Sequence, residues 1–161
     1  MKYIFFLTLL ASFQSKAIDV CLEPGGQCED KLVAFLSTAN TSLDIAVYQL
    51  NLESVVDVIM KKSKKIKIRL LTDADQSEDK KSAIFALIDA KIPVRFGRQK
   101  LHMHHKFAIV DGVKMEVGSF NYTKNAATKN QENQLYIDDA STVQTFKDRF
   151  EQIWKDSDLP K

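Results

Sequence analysis

The chain is poor in the residues that break or staple a fold. Its 161 residues include three prolines, five glycines and two cysteines. So little proline and glycine excludes a collagen-like or low-complexity chain. Two cysteines exclude a disulfide-dense miniprotein. No apolar run reaches the roughly 20 residues of a certain membrane span. An excess of one charge is missing too, because 23 basic residues face 21 acidic ones. A nucleic-acid partner must therefore be held by a local patch and not by overall charge. No carboxylate cluster for Mg²⁺ or Ca²⁺ stands out, so no metal and no cofactor is expected. What remains is globular composition, with 45% hydrophobic and 27% charged residues. That is enough chain for one domain with its own core.

The first residues form a distinct segment. Met1-Lys2 is a short positive start, Tyr3 to Phe13 is apolar, and Ser15-Lys16-Ala17 puts small residues where a signal peptidase reads. This is the build of a secretory leader over residues 1–17, with a single domain over residues 18–161. A buried first element and an uncleaved anchor are the alternatives. Export implies a periplasmic or secreted protein with no stable membrane association once the leader is removed. Losing Lys2 and Lys16 with the leader balances the bases and acids of the remainder. Cys21 and Cys28 flank Pro24-Gly25-Gly26, which can reverse the chain. In an oxidising compartment they can close a small disulfide loop; otherwise they are two free thiols. Their spacing, with no histidine nearby, argues against zinc.

The remainder alternates between strand and helix patterns. Strands are expected at Ile18 to Leu22, Leu43 to Tyr48, Ile66 to Leu71, Pro93 to Phe96, Lys106 to Val110, Lys114 to Val117 and Leu135 to Ile137. Helices are expected at Glu29 to Ala39, after Asn51 as N-cap, at Ser82 to Ala90 and at Thr142 to Trp154. Asp111-Gly112 is a strong hairpin signal. The pattern implies an α/β fold, a mixed sheet with helices on both faces. No internal repeat is present.

The chemistry concentrates in one stretch, His102-Met103-His104-His105-Lys106 through Asp111, followed by Gly118-Ser119-Phe120-Asn121. Alternation along a strand puts His104 and Lys106 on one face and His105 on the other. An imidazole beside an unpaired ammonium is poor core design, but it suits a bound anion. Ser119 and Asn121, after a glycine at a strand end, supply short donors suited to a phosphate cradle. His102 and His104 share a face, yet no third zinc ligand has convincing spacing. Asp111 also fits a plain hairpin-turn residue. Lys61, Lys62, Lys64, Lys65, Lys67 and Arg69 read as a solvated helix end favoured by the dipole. Arg95, Arg98 and Lys100, which lead into the motif, and Lys124 and Lys129, which follow it, are candidates for nucleic-acid phosphates.

The spaced pattern His104-x-Lys106-x4-Asp111-x6-Gly118-Ser119-x-Asn121 resembles the signature of the phospholipase D superfamily. Thr123-Lys124 and Lys129-Asn130-Gln131-Glu132-Asn133 are similar to the single-motif bacterial endonuclease branch, the Nuc-type enzymes. The resemblance runs loosely from Pro24 to Trp154. It implies that His104 is a nucleophile forming a phosphohistidine and that Lys106, Ser119 and Asn121 bind phosphate oxygens. It further implies that the Glu132 carboxylate hydrogen-bonds the histidine and that Asp111 belongs to the motif in a more structural role. Because the motif occurs once, the resemblance implies a homodimer whose second His104 serves as general acid. The expected activity is metal-independent endonuclease action on DNA or RNA. The alternatives are a phospholipid or cardiolipin phosphodiesterase and an inactive nucleic-acid-binding module.

Overall fold

The computed structural model describes residues 18–98 and 101–160. Residues 1–17, where a leader is expected, and Lys100 lie outside the described residues. In chain order the elements are β1 (Asp19–Glu23), α1 (Cys28–Ser37), β2 (Ser42–Val47), α2 (Glu53–Ser63), β3 (Lys67–Thr72), α3 (Ala74–Ser77) and α4 (Ile84–Asp89). They continue with β4 (Val94–Phe96), β5 (Lys106–Val110), β6 (Lys114–Gly118), α5 (Lys124–Thr128), β7 (Glu132–Ile137) and α6 (Ala140–Asp156).

One seven-stranded sheet runs in the order β1-β7-β6-β5-β2-β3-β4. The β2, β3 and β4 strands are parallel, and the remaining pairings are antiparallel. Alternation of side chains sorts the core into two layers. Leu43, Ile45 and Val47 of β2 and Ala108 and Val110 of β5 pack towards α1, α2, α4 and α5. On the other face Ala46, Phe107, Ile109 and Met115 meet Val143 and Phe150 of α6. This is the mixed sheet with helices on both faces that the alternating pattern implies.

Several local expectations change. Asn51 is not the N-cap of α2; Leu52 holds that position. The Asn51 side chain instead accepts from the Lys124 amide at 3.1 Å, capping the start of α5. The last strand begins at Glu132 and not at Leu135, because β1 pairs with all three polar first residues, Glu132, Asn133 and Gln134, and β6 joins at Gln134. Short helices α3 and α5, which carry too few apolar residues to show a period, were not expected. A disulfide joins Cys21 to Cys28. Among the described residues no helix is long and apolar enough to cross a membrane.

Candidate active site

The sheet register gathers the motif at one end. Lys106 opens β5 beside Val47, the last residue of β2. Gly118 closes β6 opposite Gln134, two residues into β7 from Glu132. A Cβ at Gly118 would sit 2.0 Å from the Asn133 carbonyl oxygen, so the strand end accepts only glycine. Ser119 and Asn121 follow directly on this turn.

His104 and Lys106 do share a face, and they touch. The Lys106 ammonium lies 2.8 Å from His104 Nδ1 and donates to the His104 carbonyl at 2.7 Å. Its Nζ also sits over the Tyr48 ring, 5.1 Å from the centroid, while the His104 ring packs on Tyr48 at 4.3 Å. Lys106 is buried and His104 is exposed, so a substrate can reach the imidazole. Desolvation lowers the His104 pKa and the Lys106 charge lowers it further, against an opposing pull from Asp73. Both effects favour the neutral ring that an attacking imidazole must be. Desolvation also lowers the Lys106 pKa, with the Glu132 charge acting the other way. His105 packs on Phe107 on the opposite face, ring centroids 5.6 Å apart, as alternation requires.

The cradle is tied to β7. Ser119 donates its hydroxyl to Glu132 Oε2 and accepts from the Asn133 amide at 3.1 Å. Glu132 Oε1 accepts from Asn130 at 2.8 Å. Within the chain, then, the described hydrogen bonds of the Glu132 carboxylate go to Ser119 and Asn130 and not to His104. Its link to the reactive pair is the field it exerts on Lys106. Asn121 Oδ1 is buried without a hydrogen-bond partner; towards a phosphate oxygen the side chain acts through its Nδ2–H groups, since Oδ1 only accepts.

The motif groups Asp111 with the catalytic residues, but the structure sets it apart from them in the structural role that the resemblance implies. It lies beyond the far end of β5, about 15 Å of strand from Lys106. Its carboxylate accepts from the backbone amides of Asn40, Thr41 and Ser42 and from the Thr41 hydroxyl. Burial pushes its pKa up, but these four donors outweigh it and hold the carboxyl at about 2. The residue turns the β5–β6 hairpin at φ +54° and clamps it to the loop before β2. Its stabilising effect is present above the ordinary carboxylate pKa and is lost as pH falls through about 2. Asp111→Ala should lower stability in urea by about 1–2 kcal/mol and leave turnover per folded molecule near wild type. A folded variant with unchanged stability and no turnover would return Asp111 to the catalytic group.

The basic candidates separate. Arg95 is engaged elsewhere: it donates to the Trp154 carbonyl at 2.6 Å and covers that ring, holding α6. Arg69 likewise pairs with Asp44 and Glu151. Arg98, Lys124 and Lys129 are exposed and remain available to substrate.

Two functional residues escaped the sequence pattern. Asp73 is buried; it caps α3 and accepts from the Met103 amide at 3.0 Å, fixing the segment that carries His104. An aspartate between a strand and a helix was the available sign. Asp73, Asp75 and His102 also bring ligand atoms within 4.8 Å of one another. His102 thus sits with carboxylates and not with His104. The second residue is Glu116, fully buried, accepting from the Tyr122 hydroxyl at 2.7 Å. Through Tyr122 it pins the turn bearing Ser119 and Asn121. Nothing in a Lys-Met-Glu-Val strand announces a buried acid.

Fold and site together define a phospholipase D-like domain, and the chain belongs to that family: the family described as cardiolipin synthase, PLD-like domain, matches residues 32–154. The chain is 25% identical to Nuc from Salmonella typhimurium, a phospholipase D family member, with TM-score 0.80 over 88% of this chain and 95% of that one. NucT from Helicobacter pylori is 26% identical, with TM-score 0.79 over 88% and 97% of the two chains. A mitochondrial cardiolipin hydrolase of Chlamydomonas reinhardtii is 34% identical over 77% of this chain, which spans 56% of that protein. The human mitochondrial cardiolipin hydrolase is 34% identical over 83% of this chain, which spans 54% of its length.

Proposed function

We propose that the chain hydrolyses phosphodiester bonds of nucleic acid without a metal ion, by two displacements at phosphorus. An imidazole nitrogen of His104 attacks, a P–N bond forms, and the P–O bond to the leaving group breaks. Water then attacks the phosphohistidine and releases the free imidazole. Lys106 and the Asn121 amide N–H groups hold the non-bridging oxygens, joined by Ser119 when its hydroxyl turns from Glu132 to the phosphate, and offset the charge that builds there. Splitting hydrolysis in this way removes the need for a strongly activated water in the first step. The observation that carries the reading is an exposed imidazole 2.8 Å from a buried lysine Nζ, beside a hydroxyl-and-amide cradle.

The leaving oxygen needs a proton, and one neutral imidazole cannot both attack and donate. The proposal therefore includes a homodimer in which the second chain's His104 is the acid. Wild-type chains paired with His104→Ala chains should give heterodimers far below half the activity of the wild-type dimer. Heterodimers at half activity would mean independent sites. The leader pattern and the disulfide also support export.

A second reading, a cardiolipin phosphodiesterase, is favoured by the names of the 34%-identical relatives. It is also favoured by Val20 and Leu22, exposed on edge strand β1, and by exposed Ile18 just before it. That strand ends at Glu23, paired with Glu132, so the apolar stripe reaches the site end of the sheet. Single-stranded DNA, RNA and cardiolipin vesicles should be incubated in parallel with the purified protein, with and without EDTA. We expect cleavage of nucleic acid that persists in chelator. Cleavage of the vesicles alone would favour the second reading, and activity lost in EDTA and restored by one divalent ion would overturn the metal-free mechanism.

A further inference from the structure

A cavity of about 740 Å³ is lined by His102, two residues before His104, and lies within the range of small-ligand sites. His102 lies on its lining, and the His102 ring meets the Tyr48 ring that supports His104. Asp73, also on the lining, binds the Met103 amide one residue from His104. The cavity thus adjoins, through His102 and Asp73, the segment that carries His104.

Its chemistry is unlike that of a phosphate site. Phe85, Phe96, Leu101 and Leu159 supply apolar surface, and three of them rank among the large hydrophobic residues left exposed: Phe85 at 49%, Leu101 at 68% and Leu159 at 66%. Asp73, Asp75, Glu78 and Asp158 bring four carboxylates, against Arg98 and His102 as the basic groups. Such a lining repels a phosphodiester anion. It accepts a flat apolar body that carries N–H donors.

We propose that this cavity receives a nucleobase next to the scissile phosphate and favours bases with an exocyclic amino group. The ring would lie against Phe85 and Leu101, since every base offers a π face to an apolar platform. The amino groups of cytosine, adenine and guanine would donate to the exposed carboxylates of Asp75 and Glu78, as cytosine N4 does to aspartate or glutamate elsewhere. Thymine has no exocyclic amino group and leaves those carboxylates unmatched. The proposal rests on the nucleic-acid reading, and it adds a specificity that the His-Lys centre does not supply.

The test uses the full chain and single-stranded dodecamers, all thymidine or with a central run of deoxycytidine. Wild-type protein should cut the cytosine-bearing strand with a several-fold higher kcat/KM. Phe85→Ala, on an exposed helix surface, should lower kcat/KM on that strand about tenfold. The double variant Asp75→Ala, Glu78→Ala, at two exposed positions, removes both acceptors and should bring the cytosine-to-thymine ratio close to one. Bis(p-nitrophenyl) phosphate, which has no base, is assayed alongside with the wild type. If the wild type turns over this diester but cuts no oligonucleotide, the nucleic-acid reading falls, and the subsite with it. If oligonucleotides are cut but the ratio is one in the wild type or unmoved in the double variant, the subsite alone is overturned. A preference instead for phosphodiesters of choline or ethanolamine, lost in the double variant, would assign the cavity to an alkylammonium group and also overturn it.

Discussion

His104→Ala is expected to fold normally and to lose at least about a thousandfold in kcat on any diester the wild type cleaves. The side chain is exposed, so its removal opens no core cavity. The ammonium of Lys106 keeps its bond to the residue 104 carbonyl at 2.7 Å, which does not depend on the imidazole. What disappears is the nucleophile. The cradle and Lys106 can still bind phosphate, so KM should change far less than kcat. Kinetics on the purified variant, with unfolding measured in parallel, decide the matter. A folded His104→Ala protein with near-normal turnover would remove the imidazole from the chemistry.

The second large effect concerns pH and a residue that touches no substrate. Burial pushes the Glu116 carboxyl up to about 8, and the Tyr122 hydroxyl bond only partly offsets it. A folded pKa above the unfolded one means that stability is fullest below the unfolded value, about 4.5. It is lost as pH rises to about 8, at roughly 1.4 kcal/mol per unit. Glu116→Gln keeps an acceptor for Tyr122 and removes the titration. Between pH 5.5 and 8 the wild type should therefore lose about 3 kcal/mol relative to Glu116→Gln. Urea unfolding of both proteins at the two pH values measures this. Parallel pH slopes would show that the buried acid does not titrate in this range. The same network holds the turn carrying Ser119 and Asn121, so the variant should also retain activity further into alkaline solution.

The reactive pair was legible because it depends on local rules. Residues two apart on a strand share a face, and that placed His104 with Lys106 and set His105 on the opposite face. The hairpin at Asp111-Gly112 was legible because positive φ at both positions is a local demand, met here at +54° and +69°. The sheet with helices on both faces followed from alternating periodicities. What was not legible depends on tertiary placement. Glu116 and Gln134 are polar residues on strands whose neighbours bury them, and no periodicity separates a buried acid from a solvated one. Asn51 looked like a cap for the helix that follows it and caps another that lies beside it in space. Asp111 sits in the motif by sequence but one strand length from the chemistry. Glu132 binds the cradle serine, a partner that the β6–β7 register decides.

The central claim is a covalent bond between His104 and phosphorus. Wild-type protein should be mixed with a radiolabelled phosphodiester in excess chelator, quenched during turnover in alkaline detergent, digested and mapped by mass spectrometry. The account predicts label on the peptide containing His104, stable to base and released by acid, and none in the His104→Ala protein. Label on another residue, or rapid turnover with no labelled protein at any quench time, would contradict it.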